Sequence, residues 1–198
     1  MTLIVGLTGG IGSGKSTFSK ELTKRNIKTL DSDKEVALIY KKPTKKFLHY
    51  LKKIGLSGST KSKKINKRLI SEKIFSNKET KKQLENYIFK ITRKKRHQFI
   101  KREKKRKTKI IFLDIPLLFE NKLNNEFDLI ISILSTKKNR YNRLKLSKNM
   151  SKTQFGAIIK TQTSDVVRKN NSDIVIYNNN TMVNYISKIN KILDRLIL

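Results

Sequence analysis

Five short runs of apolar residues recur along the chain, at positions 3–7, 27–30, 110–114, 128–134 and 172–177. Between them, apolar residues recur at the three- and four-residue spacing of an amphipathic helix, as Phe18 and Leu22 do after the first run. Short apolar runs that alternate with such helices predict a parallel sheet with helices on both faces. We therefore predict an α/β fold of three layers around a five-stranded parallel sheet. The final stretch, 181–198, keeps helical spacing and should pack on the sheet.

The stretch between the second and third strands is much longer than a single crossover helix. From 41 to 107 it is basic, and apolar residues such as Phe47 and Leu51, or the pairs 69–70 and 74–75 on one helix face, keep helical spacing. We interpret 34–107 as an inserted helical region for substrate binding within one domain that spans 1–198. Its last part, 101–109, is either a solvated basic helix face or a phosphate-binding one.

A phosphate-binding loop follows the first strand directly. Residues 9–16 fit the pattern G-x-x-x-x-G-K-[ST] and lie between a predicted strand and a predicted helix. This context argues against a glycine-rich turn that matches the pattern by chance. The glycines allow a tight turn that directs N–H groups at one anion, and the helix start adds further donors. Lys15 would reach the β- and γ-phosphates, and the Ser16 hydroxyl would ligate Mg²⁺. The predicted contacts of the nucleoside triphosphate are Gly10, Ile11, Gly12, Ser13, Gly14, Lys15, Ser16 and Thr17.

Acidic residues end two of the predicted strands. Asp31 and Asp33 follow the second strand and Asp114 ends the third, and ligands of open parallel sheets bind at this edge. One acid of the first pair could accept the proton of an attacking hydroxyl or hold Mg²⁺, and either could instead cap the next helix. Asp114 has the position of the Asp that supports Mg²⁺ in phosphate-loop enzymes. We therefore expect Ser16 and Asp114 to hold the metal.

Two arginines begin the helix after the fourth strand. Arg140 and Arg143 could stabilise the charge of a transferring phosphoryl group. Taken one at a time, each is more simply interpreted as a surface arginine.

The chain is strongly basic, with 47 Lys and Arg against 15 Asp and Glu and a net charge of +32. Such a field attracts polyanions, and nucleic acid is the obvious candidate. The excess is mostly Lys, is spread along the whole chain and is accompanied by many Asn and Ile, three residue types with A/T-rich codons. We therefore favour genome drift over a nucleic-acid surface and expect no specific nucleic-acid partner.

Other features exclude several classes of protein. The chain has no Cys, which excludes disulfides, thiolate metal sites and a Cys nucleophile, and two isolated histidines argue against a zinc site. No basic segment precedes a long apolar run at the start, and no apolar run approaches the length of a membrane span. We expect a cytoplasmic protein with no membrane partner, and the sequence specifies no oligomeric state.

With these residues in place, the chain resembles the dephospho-coenzyme A kinase family over nearly its whole length. The loop 8–17 has a form much narrower than the general phosphate-loop pattern, and the block Pro-Leu-Leu-Phe-Glu at 116–120 is distinctive. The matching features are the loop 8–17, the Asp-x-Asp element 31–33, the pair 74–75, the block 114–120, Gln162 and the stretch 172–178.

This resemblance implies a P-loop kinase that transfers a phosphoryl group from ATP, with Mg²⁺, to the ribose 3′-hydroxyl of dephospho-coenzyme A. The products would be coenzyme A and ADP, in the last step of coenzyme A synthesis. The resemblance makes Asp33 the base and gives Lys15 and Arg143 catalytic roles. It also implies a coenzyme A region at 34–107 and a lid at about 138–152, whose closure would exclude water. The implied substrate contacts are Thr8, Asp31, Asp33 and Leu117.

Three positions depart from the family pattern. Phe89-Lys90 stands where the family usually has His-Pro, Lys67 where an Arg is common, and Ser147 at the place of a second lid arginine. Because Lys cannot reproduce a bidentate Arg contact, substrate affinity or turnover is expected to fall unless Lys145 or Lys148 substitutes. The phosphate loop and the predicted base are intact, so we expect an active enzyme.

Three other functions are compatible with parts of this pattern. Another small-molecule kinase, acting on a nucleoside, a nucleotide or a shikimate-like alcohol, would share the fold, but the block 114–120 with Asp173 and Asn178 favours the coenzyme A branch. A nucleic-acid-binding NTPase would hydrolyse ATP with stimulation by RNA or DNA that survives physiological salt. A non-catalytic binding module would tolerate Asp33→Asn.

Overall fold

The computed structural model describes residues 1–61 and 64–197 and divides into two compact units. The first unit contains Met1–Asp31 and Ile100–Leu198, and the second contains Ser32–Phe99. In chain order the elements are β1 (Leu3–Gly9), α1 (Lys15–Lys24), β2 (Lys28–Asp31), α2 (Ser32–Lys41), α3 (Lys45–Lys53), β3 (Thr60–Lys61), β4 (Lys64–Ile65), α4 (Lys67–Ser76), α5 (Lys78–Lys105), β5 (Ile110–Asp114), β6 (Leu129–Leu134), α6 (Lys137–Lys148), α7 (Lys152–Lys160), α8 (Asp165–Asn170), β7 (Ile174–Tyr177) and α9 (Met182–Ile197).

The first unit is built on a parallel sheet of five strands in the order β2-β5-β1-β6-β7. This arrangement confirms the predicted α/β fold class. Across the sheet, Leu7 of β1 is in register with Asp114 of β5, which is in register with Asp31 of β2 on its other side. The two acids therefore lie side by side at the carboxyl edge of the sheet.

The core of the first unit lies between the sheet and two helices, α1 and α9. Val5, Leu7 and Phe112 of the strands are fully buried there, together with Phe18 of α1 and Ile189 of α9. Each such side chain contributes about 1.5–3 kcal/mol by leaving water. This packing fixes the start of α1, and it confirms that the final helix packs on the sheet.

The second unit has its own apolar core, formed by α2, α3, α4 and α5. Phe47 of α3 is 1 % exposed, and its ring stacks on that of Tyr87 with centroids 5.6 Å apart. Ile70 of α4 is buried, whereas Phe75, predicted on the same helix face, is 93 % exposed. The substrate-binding role of this region stays a prediction.

Several element boundaries differ from the predicted ones. Asp31 belongs to β2 rather than to the following loop, and Asp33 lies in the first turn of α2. Helix α8 and the antiparallel pair β3–β4 were not predicted. The apolar residues of α8, Val166 and Val167, are adjacent and exposed, so they give no helical spacing; its start is fixed instead by the side chain of Ser164, which accepts from Val167 N at 3.3 Å.

Across the described residues, no helix combines the length and apolar character needed to cross a membrane.

Candidate phosphate-binding site

The loop between β1 and α1 requires glycine at two positions. Gly12 has a φ of 73° and Gly14, the N-cap of α1, has a φ of 111°, both in the region that side chains with a Cβ avoid. A Cβ at Gly14 would also overlap the Asn178 side-chain amide. The motif glycines therefore meet both a backbone demand and a packing demand.

Four consecutive carbonyl groups of the loop, those of residues 11–14, accept hydrogen bonds from side chains elsewhere in the first unit. In order, the donors are Arg140 Nε (2.8 Å), Arg143 Nη1 (3.2 Å), Asn178 Nδ2 (2.8 Å) and the Tyr185 hydroxyl (3.1 Å). Since the C=O and the following N–H of a trans peptide point in opposite directions, the contacts to the Ile11 and Ser13 carbonyls direct the N–H groups of Gly12 and Gly14 away from those side chains, whereas the N–H of Ser13 donates to Gly10 O at 3.1 Å. Within the described residues, the N–H groups of Gly12 and Gly14 have no acceptor. They are available to an anion.

The loop lysine lies beside the acid that ends β5. Lys15 Nζ is 3.4 Å from Asp114 Oδ1, and the Asp114 side chain is only 8 % exposed. Its Oδ2 accepts from the Ser19 hydroxyl at 2.8 Å, whereas Oδ1 accepts no hydrogen bond from the described residues. Ser16, in the first turn of α1, is exposed. Lys15, Ser16 and Asp114 thus belong to one unit, and Lys15 and Asp114 are in contact.

The described residues contain no group of three or more His, Cys, Asp or Glu side chains that could hold a metal ion. A Mg²⁺ site of the usual kind in kinases needs only one or two protein oxygens, which act together with substrate phosphates and water. The buried Oδ1 of Asp114, which accepts no hydrogen bond but lies 3.4 Å from Lys15 Nζ, and the hydroxyl of the exposed Ser16 are oxygen donors of the type that Mg²⁺ prefers. The residues present therefore fit the ion.

The predicted substrate contacts occupy different environments. Thr8 is fully buried, and its hydroxyl donates to the Pro116 carbonyl at 3.2 Å. Leu117, the next residue, is 43 % exposed. Asp31 is partly buried at the end of β2, and Asp33 is exposed in the first turn of α2.

Arg140 and Arg143 both contact the loop. The interpretation of Arg140 as a surface arginine is wrong, because it is 3 % exposed. Helix α6 begins close after β6, and the face of its first two turns that carries Arg140 and Arg143 lies against the loop, whereas Lys137 and Lys138 are exposed. Arg143 also donates to Ser135 Oγ at 3.1 Å and to the carbonyl of Asn178 at 2.8 Å. Burial lowers the pKa of both guanidinium groups, and the charge of Asp165 opposes this shift at Arg140.

Sequence reasoning missed three side chains that hold the loop. Asn178 and Gln162 were noted only as marks of resemblance, with no role. Tyr185 has the spacing of a core residue, and burial raises the pKa of its hydroxyl, which donates to Gly14 O. No local sequence pattern distinguishes it from the other buried residues of α9.

Two acids of the family-like segments support the fold. Glu120 Oε1 accepts from Thr163 N at 2.7 Å and from Arg168 at 2.9 Å. Asp173 Oδ2 accepts from the N–H of Ile130 at 2.7 Å and so joins the starts of β6 and β7. These contacts fix the strands and loops behind the phosphate loop.

The departures from the family pattern also have structural partners. Lys67 Nζ lies 5.2 Å from the centre of the Tyr40 ring, a cation–π contact within the second unit. The Ser147 hydroxyl donates to the carbonyl of Arg143 at 2.7 Å and is exposed on α6. The Ser147 hydroxyl is thus bonded back to the carbonyl four residues earlier in its own helix.

Comparison with known proteins gives one consistent result. A family model described as dephospho-CoA kinase matches residues 3–184. The dephospho-CoA kinase of Staphylococcus aureus is 32 % identical over 154 residues, which cover 76 % of this chain and 72 % of that protein. That of Bartonella henselae is 30 % identical over 156 residues, 78 % of each chain. The solved dephospho-CoA kinase of Campylobacter jejuni shares the fold, with a TM-score of 0.75 at 23 % identity over 99 % of this chain and 98 % of that one. The chain belongs to the dephospho-CoA kinase family, which phosphorylates dephospho-CoA with ATP in the final step of coenzyme A biosynthesis.

Proposed function

We propose that this protein transfers the γ-phosphoryl group of ATP to the ribose 3′-hydroxyl of dephospho-CoA, with Mg²⁺ as cofactor. The observation that carries the proposal is the loop 10–14, whose carbonyl groups are held by side chains and whose N–H groups at Gly12 and Gly14 are available. Such a nest of N–H groups at a helix start binds phosphate. The family match supplies the acceptor.

The loop and the first turn of α1 would hold the triphosphate. Lys15 would exchange its contact with Asp114 for the β- and γ-phosphates, as the motif lysine of phosphate-loop enzymes does. Arg143, whose guanidinium lies against the Gly12 carbonyl, would stabilise the charge of the transferring group. The proposed ATP contacts are Gly10, Ile11, Gly12, Ser13, Gly14, Lys15, Ser16 and Thr17.

Ser16 and Asp114 would hold Mg²⁺. The support for this pair is Asp114 Oδ1, which accepts no hydrogen bond and would be released when Lys15 turns to the phosphates, and the exposure of Ser16 in the turn that starts α1. When bound, the ion supplies charge neutralisation of the phosphate oxygens. Ser19, which donates to the other Asp114 oxygen, would orient the carboxylate.

Asp33 would accept the proton of the attacking 3′-hydroxyl. Its carboxylate is exposed, in the first turn of α2, two residues beyond the strand end at which Asp31 lies beside Asp114. A positioned carboxylate is the usual base for a hydroxyl acceptor in kinases. Asp31 would contact the same substrate. Leu117, whose side chain is partly exposed, would too, and the fully buried Thr8 would contribute to substrate binding by holding the carbonyl of Pro116.

Two segments would handle the larger parts of the substrates. The helical region 34–107 would bind the coenzyme A moiety, and the segment of about 138–152 would close over ATP and exclude water. Because Ser147 replaces a lid arginine, we expect Ser147→Arg to tighten ATP binding or to raise turnover. Unchanged ATP affinity and turnover would count against a functional cost of the missing arginine.

The test is ADP release measured with ATP, Mg²⁺ and dephospho-CoA, beside a panel of nucleosides and an RNA control. We expect ADP formation only with dephospho-CoA. Asp33→Asn should lower kcat by roughly 10²–10⁴-fold, the contribution of a general base. Asp194→Asn, which neutralises an exposed acid of α9, is the matched control and should keep the rate of the unaltered enzyme.

One outcome would overturn the proposed reaction, and a second would overturn only the role of Asp33. ADP release that is stimulated by RNA but not by dephospho-CoA would make the protein a nucleic-acid-dependent NTPase and would give the positive charge a function. Full activity of Asp33→Asn would remove Asp33 from the mechanism and leave the substrate assignment to be judged on turnover alone.

A further inference from the structure

Arg140 is a buried charge that the mechanism above does not use. It lies on α6 and is 3 % exposed. Its Nε donates to the carbonyl of Ile11 at 2.8 Å, its Nη1 lies 3.3 Å from Asp165 Oδ2, and its Nη2 donates to Gln162 Oε1 at 3.4 Å. A buried guanidinium with this many partners is tied to one position.

Gln162 holds the same loop residue from its other side. Its Oε1 accepts from the N–H of Ile11 at 3.0 Å. Arg140 therefore binds the C=O of Ile11 while Gln162 binds its N–H, and the two side chains also contact each other. We call Arg140 and Gln162 the Ile11 clamp.

Asp165 anchors the clamp to the rest of the first unit. It pairs with Arg140 and, at 3.3 Å, with Arg168, which is 1 % exposed and also pairs with Glu120 at 2.9 Å. In this row of ion pairs, acids alternate with arginines, so each of the two buried arginines has a carboxylate partner. Arg140 lies within the proposed lid segment of about 138–152, but these pairs tie its side chain to the loop and to α8, so closure over ATP would come from the part of that segment beyond Arg143.

We propose that Arg140 and Gln162 are positioning residues that preset the phosphate loop for the triphosphate; this rests on the proposed function, in which the loop binds ATP. The peptide after Ile11 carries the Gly12 N–H, one of the groups without an acceptor in the described structure. With the Ile11 carbonyl held by Arg140, this N–H faces away from the protein and toward the anion. A loop with glycines at positive φ has many alternative conformations. Fixing the loop before ATP arrives means that ATP binding does not have to pay the conformational entropy of ordering it.

The first test is the affinity of ATP and of ADP for Arg140→Gln, measured by calorimetry without acceptor at a temperature where the variant is folded. Because a buried hydrogen bond to a charged group is lost, the Kd should rise roughly ten- to hundredfold. KM for dephospho-CoA should stay within about twofold, since the clamp touches only the phosphate loop. Lys137→Gln removes one charge from the same helix at an exposed position and should leave the ATP Kd unchanged.

A double-mutant cycle separates positioning from stability. Gln162→Ala should also raise the ATP Kd. The double variant should lose less binding free energy for ATP than the sum of the losses in the two single variants, because both residues hold Ile11. Arg140→Lys keeps the charge but not the branched donor, so it should fold well and bind ATP with intermediate affinity.

An ATP Kd within twofold of the unaltered protein for Arg140→Gln, with a lowered melting temperature, would overturn the proposal and leave Arg140 a structural residue. Additive effects of Arg140→Gln and Gln162→Ala on the Kd would overturn it as well. Tight ATP binding by the unaltered protein without turnover of dephospho-CoA would instead overturn the proposed reaction while leaving the clamp intact, so the two failures are distinguishable.

Discussion

Gly10→Ala should damage the protein through one side chain rather than through the backbone. Unlike Gly12 and Gly14, Gly10 does not have a positive φ, so alanine meets no backbone strain there. A Cβ at Gly10 would overlap the guanidinium of Arg140, with Cζ at 2.6 Å and Nη1 at 2.9 Å. The end of an arginine normally moves aside at little expense, but this one is buried and held by Ile11 O. Arg140 must therefore leave its partners to admit the methyl group.

The expected loss follows from the contacts that Arg140 gives up. Its hydrogen bond to the Ile11 carbonyl joins a charged donor to a buried acceptor and contributes about 1.5–3 kcal/mol. Its pair with Asp165 involves a side chain that is 35 % exposed, so this contact adds at most about 1 kcal/mol. Gly10→Ala should lower the free energy of unfolding by about 2–3 kcal/mol, because these contributions do not add fully.

The assay is urea denaturation of Gly10→Ala in two backgrounds. In the unaltered background the full loss should appear; in Arg140→Gln the shorter side chain leaves room, and the same change at Gly10 should alter the free energy of unfolding by less than about 0.5 kcal/mol. An equal loss in both backgrounds would refute the reasoning, since Gly10 would then be required by the backbone or by another neighbour.

Three further predictions follow from burial and charge. Gly156→Ala, in α7, places its Cβ in open space and should raise the free energy of unfolding by about 0.5–1 kcal/mol, as thermal or urea denaturation would detect; a loss would contradict the geometry. The hydrogen bond from Arg102 holds the pKa of the buried Glu103 below its ordinary value of 4.5. The difference in free energy of unfolding between the unaltered protein and Glu103→Gln should therefore be full above pH 4.5 and should disappear as the pH falls through the lowered pKa. A difference that does not change with pH would refute this. Phe47→Ala should remove about 3–5 kcal/mol from the core of the second unit, measured by denaturation, and a loss below 1 kcal/mol would show that Tyr87 and its neighbours close the cavity.

The parts of the fold that the sequence predicts well are those with a strong local pattern. Strands β1 and β5 lie inside the sheet, so apart from their last residues they are mostly apolar and give a clear signal. The two-residue strands β3 and β4 are shorter than any periodicity, and residues 62–63 between them lie outside the described residues. Helix α8 is fixed by a cap and by buried Arg168, neither of which produces an apolar repeat.

In the candidate site, too, the sequence predicts the residues of a local motif but not those that come from distant parts of the chain. The loop motif is contiguous, and the chemistry of Lys15 follows from its position in that motif. The side chains that hold the loop come from far along the chain: Arg140 contacts a residue 129 positions away, Asn178 one 165 away and Tyr185 one 171 away. Only the sheet order, which sets β1 beside β6, brings these segments together. A linear pattern does not contain that information.

The positive charge of the chain also divides into two parts with different origins. The basic residues are mostly lysine, yet every basic residue that is buried within the described part of the chain is an arginine: Arg96, Arg140 and Arg168. A guanidinium has five donors in a fixed fork and is less strongly hydrated than an ammonium, so it can be buried where a lysine would lose its hydration without recovering enough hydrogen bonds. Codon drift toward A and T, the interpretation that the sequence favours, would account for exposed lysines, because exposed positions accept most polar residues. It does not explain arginines at Arg140 and Arg168, where the contacts to Ile11, Asp165 and Glu120 require the branched donor. The large net charge of the chain and the buried arginines near the phosphate loop therefore have separate explanations. Only the buried arginines are required by contacts that hold the loop and its surroundings.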